Sequence, residues 1–188
     1  MPDYDSPAKA AYRQAFYHAV DVHCPIQRHR RRVLILEESQ GHEARFLLSL
    51  GYRAQHIMAV NRQAGKMAHV NRILAAYGHA PIMAIGGEFT FYAAGQPFDV
   101  VNFDSCQTIH RKDWEADLNR LLAVRRKGDL VGINTTAYRD TFHADHDRIT
   151  AMRNAARARR ATVVEWGKYY NRCGKGGSPM LWFLLRKS

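Results

Sequence analysis

Cysteine is scarce in this chain of 188 residues: Cys24, Cys106 and Cys173 are the whole set, far apart and without a C-x-x-C pair. An odd, dispersed set excludes a disulfide framework and a zinc knuckle, and points to a reducing compartment. No apolar run approaches the ~20 residues that a membrane-spanning helix needs. The acidic start, Met1-Pro2-Asp3-Tyr4-Asp5, lacks the apolar stretch of a secretory signal. A cytoplasmic protein with no membrane contact is expected. There is no internal repeat, low-complexity tract or linker, so residues 1–188 read as one domain, long enough to bury a single core. Acidic residues are also short, 17 Asp and Glu against 28 Lys and Arg, for a net charge of +11. That surplus favours a polyanionic partner without choosing among RNA, DNA and an acidic protein surface.

What is present is an alternation of short apolar runs and amphipathic stretches. Residues 7–22 read as a helix, with Ser6 as N-cap and Pro7 in the first helical position. Strands are expected at Val33–Leu36, Ile57–Val60, Pro81–Ile85, Val100–Phe103, Leu130–Ile133, Ala161–Glu165 and Met180–Leu185. Helices fall between them at His42–Leu50, Gln63–Tyr77, Lys112–Arg126 and His146–Arg160, with a weak turn around Glu88–Tyr92. Gly51, Gly78 and Gly128 supply helix stops. Such alternation is the mark of βαβ units and a parallel sheet. Only the Gly-rich stretch 167–178 separates the last two strands, so they must pair as an antiparallel hairpin.

Two strands end abruptly in polar residues. Val33–Leu36 runs into Glu37-Glu38-Ser39-Gln40-Gly41-His42-Glu43, and Val100–Phe103 into Asp104-Ser105-Cys106-Gln107. Open parallel sheets bind ligands outside the carboxyl ends of their strands. The two ends together suggest a nucleotide-like ligand at the top of a doubly wound sheet.

Six strands with intervening helices, followed by a seventh that returns antiparallel, resemble the class I S-adenosylmethionine-dependent methyltransferases, from about Gln27 to Arg186. The resemblance implies an α/β fold: a doubly wound seven-stranded sheet, order 3-2-1-4-5-7-6, with helices on both faces and helix 7–22 packed on the core. It implies S-adenosylmethionine as cofactor and a glycine-rich turn after the first strand. Here that turn keeps the acidic residue, Glu37, and one glycine of three, Gly41. Ser39 is small enough for the first glycine position, and Glu43 is the larger departure. At the end of the second strand, Asn61 stands where the family has a carboxylate that grips both ribose hydroxyls, which costs binding roughly 1–2 kcal/mol. Glu88 is placed to accept from the adenine amino group and Phe89 to stack on the ring. Singly, each residue has a duller reading: Glu37 and Glu38 suit a helix N-terminus, and Asn61 is a natural N-cap.

After the fourth strand, Asp104 is the one match to the acceptor-holding motif of amino-group methyltransferases, and it is the candidate to orient the acceptor or take its proton. Cys106 lacks the setting of a covalent nucleophile and reads as a small buried residue. His143-Ala144-Asp145-His146-Asp147 offers imidazoles and carboxylates, but helix capping accounts for the acids and no metal is expected. Lys168, Tyr169, Tyr170, Arg172 and Lys175 lie in the expected loop before the last strand and would meet a nucleic-acid substrate by stacking and phosphate contact. Arg30, Arg31 and Arg32 precede the first strand, across the sheet from the crevice, and would anchor a polyanion.

The reading is methyl transfer to nucleic acid, RNA ahead of DNA, with specificity drawn from loops or a protein partner. A binding protein that keeps the fold without turnover, and a methyltransferase of a small molecule or protein, are its rivals.

Overall fold

A computed structural model describes residues 6–107, 114–136, 145–171 and 178–188. The first helix, α1 (Pro7–His23), starts as read: the Ser6 hydroxyl accepts the Lys9 N–H at 3.3 Å and Pro7 opens the helix. Tyr12, Phe16, Tyr17 and Val20 recur at near-helical spacing and are all buried.

Five strands follow in parallel: β1 (Val33–Leu36), β2 (Ile57–Asn61), β3 (Met83–Gly86), β4 (Val100–Gln107) and β5 (Leu130–Thr136). The helices between them are α2 (His42–Ser49), α3 (Ala64–Ala76), α4 (Phe89–Gly95) and α5 (Trp114–Ala123). Then α6 (Asp145–Ala158) leads into β6 (Ala161–Asn171), and β7 (Ser178–Lys187) returns. Gly51 and Gly78 end α2 and α3 at φ 89° and 74°, a backbone region that side chains disfavour. The sheet order is β3-β2-β1-β4-β5-β7-β6, with β7 antiparallel to both β5 and β6 and every other pair parallel.

The sheet separates two hydrophobic cores. One packs α1, α2 and α3 against Val33, Ile35, Ala59 and Leu184; the other packs α4, α5 and α6 against Leu34, Val60, Val101 and Phe183. Side chains buried on both faces explain why these strands read as continuous apolar runs. Gly132 of β5 lies under Phe16, whose ring a Cβ at that position would overlap. A bare sheet position is what lets α1 approach.

Three strands outrun their sequence signal. Strand β4 continues four residues past Phe103, β5 three past Ile133, and β6 six past Glu165. The ten residues of β7 pair with β5 as far as Thr136↔Met180 and with β6 as far as Asn171↔Ser178. Backbone pairing therefore carries polar residues in strand geometry where apolar alternation has already stopped. At the end of α5, Arg125 leaves the helix and turns its guanidinium onto the carbonyls of Phe98, Ala93 and Gln96.

Candidate functional site

The carboxyl ends of β1, β2 and β4 and the start of α4 enclose a cleft of about 380 Å³. One wall is apolar: Leu36, with Phe89 and Phe103 stacked at 5.0 Å between ring centroids. The rest is polar and charged. Glu38 meets Lys66 at 2.5 Å and Glu88 meets Arg62 at 2.8 Å, so a carboxylate held by a cation stands on either side of Asn61. Asp117 and Arg120 of α5 close the far side. Asn61, Glu88 and Phe89 thus come together as the sequence reading expects. Glu38 lies at the strand end the sequence marks, while Lys66, Arg62 and Phe103 were missed as cleft residues, although their position at strand ends or at the start of the next helix was the available signal.

The turn after β1 departs from expectation. Glu37 does not line the cleft; it is 3% exposed and turns beneath the loop, accepting the Ala44 N–H at 2.7 Å and the Glu38 N–H at 2.9 Å. Burial and the neighbouring Glu43 push its carboxyl up to about 8, against the pull of those two N–H groups and of Arg13. Its role here is to hold the loop. Ser39 is half-buried within the turn. Gly41 sits at φ 62° before α2, and its missing Cβ would face Val70 and Leu74 of α3 rather than the cleft. Gly86 likewise has a packing reason, because a Cβ there would overlap Ala64. Asn61 lines the cleft, but its amide donates to the Glu37 carbonyl at 2.8 Å and its oxygen accepts the Gln63 N–H at 2.9 Å.

Beneath α1 lies a second polar group. Glu43 is buried and accepts from the Tyr17 hydroxyl at 2.5 Å and the Asn102 amide at 2.6 Å. Tyr12 donates to the Asn102 oxygen at 3.2 Å. Burial, with Asp104 and Glu43 close by, raises the Tyr12 hydroxyl well above its ordinary range. Asp104 is not at a loop tip but within β4, ion-paired with Lys9 of α1.

Several expected contact residues are placed elsewhere. Lys168, Tyr169 and Tyr170 belong to β6, not to a loop. Tyr169 is buried against Tyr12 at 4.8 Å, Lys168 pairs with Asp145 at 2.6 Å, and Tyr170 stays exposed. Among the described residues of this set, Tyr170 and Lys168 present surface that a substrate could touch. Arg172, Lys175, Cys173 and His143 lie outside the described residues, as does the side chain of Cys106. Of the arginine anchor, Arg31 is 2% exposed and committed to Asp21 at 2.7 Å, the Tyr52 hydroxyl at 2.5 Å and the Ile26 carbonyl at 2.7 Å. Arg32 is half-buried over the Phe98 ring, which leaves Arg30 as the exposed member. The buried Arg31 guanidinium thus serves internal partners in this structure, and of the three expected arginines Arg30 is the exposed one. Among the described residues no cluster could hold a metal ion, and no helix is long and apolar enough to cross a membrane.

No protein-family model and no curated protein matches the chain. Solved structures do. A candidate sarcosine dimethylglycine methyltransferase from Galdieria sulphuraria aligns with a TM-score of 0.70 at 15% identity, over 100% of this chain and 92% of that one. A candidate RNA methyltransferase from Pyrococcus horikoshii aligns at 0.67 with 13% identity, over 97% and 86%. The [4+2]-cyclase SpnF aligns at 0.65 with 12% identity, over 98% and 85%. Identities this low report the fold and leave the chemistry to be argued from the site.

Proposed function

The chain has the class I methyltransferase fold, and from that premise we propose that it is an S-adenosylmethionine-dependent methyltransferase acting on nucleic acid, RNA ahead of DNA. One observation carries the reading: the cleft at the ends of β1, β2 and β4, walled by Phe89 and Phe103 and flanked by two oriented carboxylates. Those residues fit the nucleoside half of the cofactor. Leu36 and the largely buried Phe89 and Phe103 give the base an apolar wall, and Glu38 and Glu88 can accept from ribose hydroxyls or an exocyclic amine. Bound there, S-adenosylmethionine supplies an electrophilic methyl group. The chain's share is positioning. Asp104 is the group proposed to orient an acceptor N–H or O–H or to take its proton.

Support for nucleic acid is threefold. The net charge is +11, one structural neighbour is described as a candidate RNA methyltransferase, and Tyr170 and Trp166 are exposed on β6 beside Lys168. A protein partner is proposed to supply sequence choice, and the cytoplasm to be the place of action.

Calorimetric titration with S-adenosylmethionine and S-adenosylhomocysteine, followed by transfer of labelled methyl to total RNA and to DNA, tests this. Micromolar binding and label in RNA are expected. Label in DNA alone overturns the substrate class, and no binding at millimolar nucleoside favours a protein that keeps the fold without turnover.

A further inference from the structure

Strand β6 ends the sheet order, so among the described residues its outer edge has no strand beside it. A long bare edge is a hazard that proteins usually blunt with charge. This one carries Trp166 and Tyr170, which are 39% and 57% exposed.

Register decides where those rings point. Trp166 and Lys168 pair with Phe183 and Leu181 of β7, whose side chains lie in the core under α4, α5 and α6. Cross-strand partners share a face, and Tyr170 follows two residues on, so all three turn to the α6 side. Contacts agree. Lys168 reaches Asp145 at the start of α6, and its ammonium lies 5.6 Å from the Tyr170 ring centroid. Val163 also pairs on this side, with Leu185. Strict alternation from Val163 would therefore bring Glu165, Gly167 and Tyr169 here. The register shift between Val163 and Glu165 reverses that choice. One extra residue removes an acid from this face and installs two rings and an ammonium.

A groove of about 370 Å³ continues the same side toward the start of β6, where Arg153 and Arg157 of α6 stand over Ala161 and Val163. Both arginines are exposed and lie one helical turn apart. Among the described residues neither has an ion-pair partner, whereas Arg148 on the same helix pairs with Asp145. Strands β5 and β6 both run antiparallel to β7, so β6 points its last residues toward the end of the sheet where the cleft opens. Cations and then rings lie in line along roughly 30 Å of strand, from Ala161 to Tyr170.

We propose that the groove between α6 and β6 is a track for single-stranded nucleic acid, RNA ahead of DNA, with phosphates on Arg153 and Arg157 and bases stacked on Trp166 and Tyr170. The inference rests on the functional reading above and names the form of its substrate. A duplex keeps its base faces stacked on one another and has none to give the rings. A second copy of this chain, paired edge to edge, would add its own charge of +11 to the same cations. A polyanion neutralises them instead.

Fluorescence anisotropy of a labelled oligoadenylate, single-stranded or annealed to oligouridylate, across a salt series is the test. The unmodified protein should prefer the single strand. Trp166→Ala and Tyr170→Ala should each weaken that binding about tenfold, the loss of one stacked base, and Trp166→Phe should keep most of the affinity. Arg153→Gln with Arg157→Gln should lower the slope of log affinity against log salt by about 1.4, two single-strand phosphates. These arginines are exposed, so their double variant remains a test if a ring variant fails to fold. Ring variants that bind like the unmodified protein, an unchanged slope, or equal losses for the duplex overturn the proposal. So does a dimer in sedimentation that Trp166→Ala dissolves, which assigns the edge to a second copy. RNA binding that ignores these residues removes this inference alone. No RNA binding by the unmodified protein removes the nucleic-acid part of the functional reading as well, and cofactor titration then judges the rest.

Discussion

Asn61 donates its side-chain amide to the Glu37 carbonyl at 2.8 Å, tying the end of β2 to the end of β1. A carboxylate at position 61 has no hydrogen to give and would set its charge against that carbonyl oxygen. The departure from the acidic residue that the sequence resemblance implies therefore has a cause in this fold. The carboxylates of the cleft stand on its neighbours instead, at Glu38 and Glu88.

Asn61→Asp should accordingly fail to improve nucleoside binding, although it restores the usual residue type. Loss of the clamp should destabilise the protein by about 1–2 kcal/mol and weaken S-adenosylhomocysteine. Thermal denaturation and calorimetry check this, and tighter binding in the variant would contradict it.

Glu38→Gln and Glu88→Gln should each lower nucleoside affinity, and the loss should shrink for 2′,3′-dideoxyadenosine if the carboxylate accepts from ribose. A loss of about threefold to tenfold is expected for a charge-assisted hydrogen bond at a partly open site. An equal loss for adenosine and the dideoxy analogue would place that carboxylate on the base rather than the sugar.

Glu37 makes stability depend on pH. Its folded carboxyl titrates near 8 against an ordinary 4.5, so between those values the folded state holds a proton that the unfolded chain has lost. Stability contributed by this group is complete below pH 4.5 and declines as pH rises toward 8. The limiting slope for one proton is about 1.4 kcal/mol per pH unit. Glu37→Gln should flatten that decline in denaturant titrations at pH 5, 6.5 and 8. It should also cost about 1 kcal/mol, because Gln keeps one accepting oxygen where the two carboxyl oxygens accept the Ala44 and Glu38 N–H groups separately.

Arg31→Gln should lower the melting temperature by about 6–12 °C, the equivalent of roughly 3 kcal/mol for breaking a buried ion pair in a domain of this size. Arg30→Gln should leave it within error. If RNA binds this edge, replacing Arg30 should reduce the slope of log affinity against log salt by about 0.7, a single phosphate contact. A change three times larger when Arg30, Arg31 and Arg32 are all replaced by Gln would mean that Arg31 and Arg32 reach solvent when RNA is bound.

These residues also show what the sequence makes legible. Val33–Leu36 is found with the same bounds, since a strand buried on both faces advertises itself by composition. Glycines mark the ends of α2 and α3 because the left-handed backbone there requires them. Polar strand ends were misread: Trp166–Asn171 looked like a loop because pairing with β7, rather than periodicity, keeps it extended. Arg31 looked solvated because a run of arginines has that appearance, and its partners Asp21 and Tyr52 lie on other elements. Glu43 looked like a defect in a binding loop for the same reason. Tyr17 and Asn102 are 26 and 59 residues away.

The place of β7 sets an order on folding. Strands β6 and β7 form an antiparallel hairpin, yet it is β7, the later one, that touches β5. A β6 laid directly on β5 would occupy the edge that β7 needs and would have to be peeled away again. The productive route is for the hairpin to assemble first and dock as a unit, so folding waits on a contact of long sequence separation. Substitutions at the β5–β7 seam, such as Leu184→Ala, should then slow refolding, while substitutions on the edge strand β3 should chiefly speed unfolding. Stopped-flow chevrons for the two classes would separate them, and equal effects on the refolding limb would mean that the sheet closes in another order.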